Sequence, residues 1–94
     1  MVNKFDLVRF TDNEFELDVR ADSENETVWL TQDEMGLLFD VDRTRITRHI
    51  NNIINDEELN EKSNVRKTHF ANSDKLVSLY SLDMIISVGY RVKE

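Results

Sequence analysis

The hydrophobic pattern changes period at Thr31, and that change limits the fold more than any other feature of the chain. Before it, residues 5–10 (FDLVRF) and 15–20 (FELDVR) alternate apolar and polar. That period of two marks strands with one buried face. The turn-forming residues TDNE (11–14) between them predict a hairpin. ADSENE (21–26) reads as a polar loop, and TVWL (27–30) as a third short strand. After Thr31 the apolar residues recur at helical spacing. A chain that combines such hairpins with amphipathic helices is α+β.

The switch itself carries a helix start. In TQDE, the Thr31 hydroxyl can accept from the Glu34 amide while the Glu34 carboxylate reaches back to the Thr31 amide, a capping box. A helix of about eight residues follows, with Met35, Leu38 and Phe39 on one face. Gly36 lies inside it, where glycine costs about 1 kcal/mol against alanine. Close approach by a neighbouring helix is the expected compensation. DVD (40–42) breaks the pattern, and Asp42 suits an N-cap. From Arg43 to about Ile54, Ile46, Ile50, Ile53 and Ile54 form an amphipathic stripe. NDEELNEKSN (55–64) reads as a polar loop or a frayed turn. VRKTHF (65–70) and LVSLY (76–80), around ANSDK, form a second hairpin, and Ser81 caps a last helix with Leu82, Ile85, Ile86, Gly89 and Tyr90 facing inward.

Composition sets the function classes. The 94 residues make one small domain, with little room for an enclosed active site. Cysteine is absent, which removes disulfides, thiol nucleophiles and cysteine-based zinc sites and fits a reducing cytoplasm. No apolar run reaches membrane-spanning length and no leader pattern opens the chain, so a cytoplasmic location is expected. Nothing pairs a nucleophile with a base at recognisable spacing, and no phosphate-binding glycine loop is present. The reading is therefore non-enzymatic, with no cofactor and no metal. Two histidines twenty positions apart, His49 and His69, make a poor metal set. His49 reads as a partly packed structural residue, and Trp29 as a core anchor.

Charge is uneven. Residues 1–34 carry ten acidic and three basic side chains, while residues 35–94 carry nine of each. The formal charge of −7 thus belongs to the first third. It leaves the rest able to meet an anionic partner, because salt screens charge beyond about 8 Å.

Two short helices joined by about three residues and followed by a hairpin make the pattern of a winged helix-turn-helix. In that arrangement Met35, Phe39, Val41 and Ile46 fill the space between the helices. Arg43–Ile54 is the recognition helix, with its isoleucines inward. The opposite face shows Arg43, Thr44, Thr47, Arg48 and Asn51, with Arg45 at the flank, all suited to base edges and phosphates in a major groove. Thr31, Gln32 and the first-helix amides suit a phosphate. Arg66, Lys67, His69 and Lys75 supply charge to a wing beside the backbone.

The segments ETVWLTQDEM, LLFDVDRTRITRHINNI and YSLDMIISVGYRV together resemble the RhuM virulence-protein family of bacteria, over nearly the whole chain from about Val8. SLDMIISVGYRV is the most specific part. The resemblance implies an N-terminal DNA-binding winged helix, a longer C-terminal part beyond this chain, and a regulator of transcription. By position it marks Gln32, Arg43, Thr44, Thr47 and Arg48. Asp40 stands where many such turns have glycine, and Asp42 adds negative charge at the end nearest DNA.

The expected organisation is one domain over 1–94: strands to residue 30, helix-turn-helix over 31–54, wing hairpin over 65–80 and C-terminal helix over 81–94. The expected partner is double-stranded DNA, with no membrane, and a homodimer would form through the N-terminal strands or the missing C-terminal part. The competing readings are a protein-interaction module that keeps the fold, or the targeting domain of a larger effector or toxin.

Overall fold

The computed structural model describes residues 6–11, 16–69 and 74–93, with side chains from residue 20 onward. The expected turns at TDNE and ANSDK lie largely outside the described residues. The architecture is α+β, with two antiparallel sheets and four helices among the described residues.

The alternating segments pair as their pattern requires. Strand β1 (Asp6–Thr11) runs antiparallel to β2 (Glu16–Asp22), with Val8 opposite Val19, and β2 pairs in turn with β3 (Thr27–Trp29). Between β2 and β3, Asp22 and Asn25 close the turn: the Asn25 side-chain amide donates to Asp22 Oδ2 at 2.8 Å. The period change then produces helix α1 (Gln32–Phe39), and both halves of the capping box form. The Glu34 amide donates to Thr31 Oγ1 at 3.1 Å, and the Thr31 amide donates to Glu34 Oε1 at 2.8 Å.

Helix α1 ends on Asp40 in the left-handed conformation, φ 56° and ψ 50°. Three residues separate Phe39 from the next helix, α2 (Arg43–Asn55). Asp42 holds the N-cap position and its carbonyl accepts from the Arg45 and Ile46 amides, but its carboxylate makes no capping bond. The tight turn also explains Gly36, with a correction to the partner. A Cβ there would lie 3.0 Å from the carbonyl oxygen of Val41. The close neighbour is the turn itself, folded back on α1, and the Val41 amide donates to the Gly36 carbonyl at 3.1 Å.

The polar segment after α2 contains one short helical turn, α3 (Glu61–Asn64), capped by Asn60. It leads into the hairpin of β4 (Val65–His69) and β5 (Leu76–Tyr80), with Lys67 opposite Ser78. Leu30 pairs with Tyr80 through two backbone hydrogen bonds of 3.0 and 2.8 Å. That bridge joins the end of the first sheet to the second. Buried Asn64 accepts from the Ser81 hydroxyl at 2.6 Å, and Ser81 Oγ caps helix α4 (Leu82–Val92) by accepting from the Met84 amide.

The core gathers Leu30, Met35, Ile46, Ile50, Ile53, Tyr80, Met84, Ile85 and Val88, with Phe39, Val41 and Ile54 packed around it. Each fully buried isoleucine contributes about 1.5–3 kcal/mol. The inward face of α4 differs from the expected one. Met84, Ile85, Val88 and Gly89 are buried, while Leu82, Ile86 and Tyr90 are exposed. Apolar residues occupy more than half the circumference of α4, so periodicity alone does not choose the buried arc; packing against α2 chooses it. Gly89 is inward as expected, and its missing side chain seats the Phe39 ring, 3.0 Å from where a Cβ would stand.

Candidate nucleic-acid interface

Helix α2 is oriented by the burial of Ile46, Ile50 and Ile53, which are at most 2% exposed. At 100° per residue the direction opposite that stripe falls between Thr44, Arg48, Asn51 and Asn55. All four are exposed, as are Arg45 and Asn52 to one side. Asn52 and Asn55 were missed from sequence, although the same angular count places them on this face.

Arg43 and Thr47 sit nearer α1 than the expected arrangement had them. Helical geometry puts them there, since at about 100° per residue both fall beside the isoleucine stripe, and there both meet Gln32, whose carboxamide joins three elements. Its Oε1 accepts from the Thr47 hydroxyl at 2.8 Å and from Arg43 Nε at 3.3 Å, and its Nε2 donates to the Tyr80 hydroxyl at 2.9 Å. Arg43 also stands 3.6 Å from Asp33, with both side chains well exposed. The two other arginines of the helix, Arg45 and Arg48, have no hydrogen bond or ion pair among the described residues.

Thr31 and Gln32 are therefore engaged in hydrogen bonds within the fold. Both polar groups of Thr31 are used in the capping box, and Glu34 also pairs with Arg20. Asp33 and Glu34 already place two carboxylates in the first turn of α1. Those charges satisfy the positive end of the helix and oppose a phosphate there.

On the hairpin, Arg66 packs on the indole of Trp29, 4.6 Å from the ring centroid, and lies 3.6 Å from Asp22 Oδ2. Trp29 is a core residue, and its indole N–H donates to Asp22 at 3.1 Å. The Asn25 side-chain amide, and next the Trp29 indole, hold the Asp22 carboxyl below the ordinary aspartate range. Arg66 thus completes a packed polar cluster and is only half available for an outside contact. Lys67, His69 and Lys75 are exposed on the hairpin, and His49 is half-buried on α2.

The local charge is mixed. Arg45, Arg48 and Lys67 stand out to solvent, while Asp33, Asp40 and Asp42 surround the first turn of α2. Such a surface can hydrogen-bond to base edges and neutralise a few phosphates, with a limited total positive potential. Among the described residues no helix is long and apolar enough to cross a membrane. No family model, no curated protein and no solved structure matches the chain.

Proposed function

We propose that the chain is a winged helix-turn-helix domain that binds duplex DNA, with α2 in the major groove and the β4–β5 hairpin as the wing, and that it regulates transcription. One observation carries this reading. Thr44, Arg45, Arg48 and Asn51 stand exposed together on the side of α2 away from its buried isoleucines. A helix of 13 residues fits the groove, and its exposed side holds the donors that groove readout uses: arginine for guanine O6 and N7, asparagine for adenine, threonine for the thymine methyl. The three-residue turn and the Gln32 bridge fix the angle at which α1 holds that helix. Resemblance to the RhuM family points the same way and adds a bacterial regulator as its setting.

Arg48→Ala and Arg45→Ala test the reading in a gel shift against duplexes selected from a random pool. Loss of a base contact costs about 1–3 kcal/mol, or roughly five- to 150-fold in affinity, and relaxes the preference at one position. Lys67→Ala weakens all duplexes alike and lowers the dependence on salt. Unchanged affinity in all three variants removes the groove reading.

The acidic residues Asp33, Asp40 and Asp42 beside Arg43 favour a second reading, in which the same fold grips a basic protein partner. Absence of binding to random duplex even at low salt, where counterion release most favours association, selects that second reading.

A further inference from the structure

We propose that the outward face of α4 is a self-association surface, on which the helix pairs antiparallel with α4 of a second copy of this chain. Leu82, Ile86 and Tyr90 follow one another at four-residue intervals and are 39%, 47% and 72% exposed. They form one line along the helix. Beside it runs an apolar groove floored by Phe39 and Gly89 and walled by Leu38, Ile86, Tyr90 and Lys93. A contiguous apolar strip with a protruding tyrosine is the composition of an interface core.

Charge identifies the occupant. Asp83 lies in the first turn of α4, and Lys93, still in right-handed helical geometry at φ −82° and ψ −10°, follows its last turn. Both are exposed. An antiparallel two-fold centred on position 88 sets Ile86 against Tyr90 of the second copy. The same centre sets Asp83 against Lys93 of the second copy. One register therefore satisfies the apolar pair and the charged pair together, which is the self-complementarity that a two-fold interface requires. The opposite side of α4 is packed against α2, so pairing leaves the exposed arginines of α2 uncovered. This inference is independent of the DNA-binding reading. A single helix face lies at the small end of interface sizes, below roughly 1,200 Å² in total, the range of weak, transient association.

Sedimentation equilibrium of the full chain from low micromolar to near-millimolar concentration reads the association. The expected result is a reversible monomer–dimer equilibrium, weakened about tenfold or more by Ile86→Glu. Asp83→Lys and Lys93→Asp each weaken it, and the two together restore it. Because the chain has no cysteine, Ile86→Cys and Tyr90→Cys proteins can be mixed and oxidised. The mixed disulfide is expected to exceed the two symmetric ones combined, the level that random pairing alone reaches. Circular dichroism checks that each variant keeps its helices, and the exposure of all four substituted positions favours that. A monomer at every concentration overturns the proposal. So does a dimer indifferent to Ile86→Glu, or a mixed disulfide no more abundant than the two symmetric ones combined.

Discussion

Replacing Gly36 by alanine puts the tight turn between α1 and α2 to the test, because two effects of opposite sign compete there. In an exposed helix, glycine to alanine stabilises by about 1 kcal/mol. Here the new methyl would stand 3.0 Å from the Val41 carbonyl oxygen, with the Arg43 amide nitrogen at 3.9 Å. The obstacle is backbone, and it is held in place. The Val41 amide is bonded to the Gly36 carbonyl, the Val41 side chain is packed on the core, and α2 begins at Arg43. Relief requires moving the turn and the start of α2 together. Overpacking costs about 1–3 kcal/mol, and a pinned backbone belongs in the upper part of that range. The net result is a loss of about 1–2 kcal/mol after the gain in helix propensity is subtracted. For a domain of this size that lowers Tm by about 4–8 °C per kcal/mol. Thermal melts followed by circular dichroism, with urea titrations for the free energy, measure it. Leu37→Ala, at an exposed position of the same helix, serves as the control. A Gly36→Ala protein as stable as the parent, or more stable, refutes the packing argument for the turn.

Three further substitutions bear on the same architecture. Asp40→Gly removes the side-chain penalty of the left-handed conformation at φ 56° and is expected to raise stability by about 0.5–1 kcal/mol in the same melts. Gln32→Ala leaves the Thr47 and Tyr80 hydroxyls without their shared partner; a loss of about 1–2 kcal/mol is expected in urea unfolding, along with weaker DNA binding although Gln32 itself acts on the angle of α2. Arg91 bonds Glu58 at 2.9 Å and also reaches Asp56, and the Arg91 hydrogen bond is the main cause holding the Glu58 carboxyl below the ordinary glutamate range. A depressed folded-state value means stability that is complete above the unfolded glutamate pKa, about 4.3, and lost as pH falls through the lower folded one. The stability difference between the parent and Arg91→Ala is therefore expected at neutral pH and should close on acidification; a difference that persists at the acid end contradicts the assignment.

The elements were legible where one local rule acted alone. Alternation marked β1 and β2, the Thr31–Glu34 spacing marked the start of α1, and the isoleucine stripe oriented α2. What escaped depended on contacts distant in sequence. The apolar residues of α4 gave no single arc, so Leu82, Ile86 and Tyr90 were placed inward until packing against α2 turned them out. Gln32 read as a phosphate ligand because nothing local announces Tyr80, 48 residues away, as its partner. Arg66 read as wing charge because its stack on Trp29 spans the two sheets. The α2 face itself was legible, since it needed only helical geometry and the position of the isoleucines; the tether on Arg43 and Thr47 was not.

What the exposed side of α2 touches decides between the DNA and the protein-partner readings. An NMR titration of the labelled chain with a random duplex at low salt tests it most directly. Amide and side-chain shifts concentrated on Thr44, Arg45, Arg48 and Asn51, with a second group at Lys67, are the predicted result, while Ile86 and Tyr90 stay unmoved. No shifts at low salt, or shifts confined to α4, contradict it.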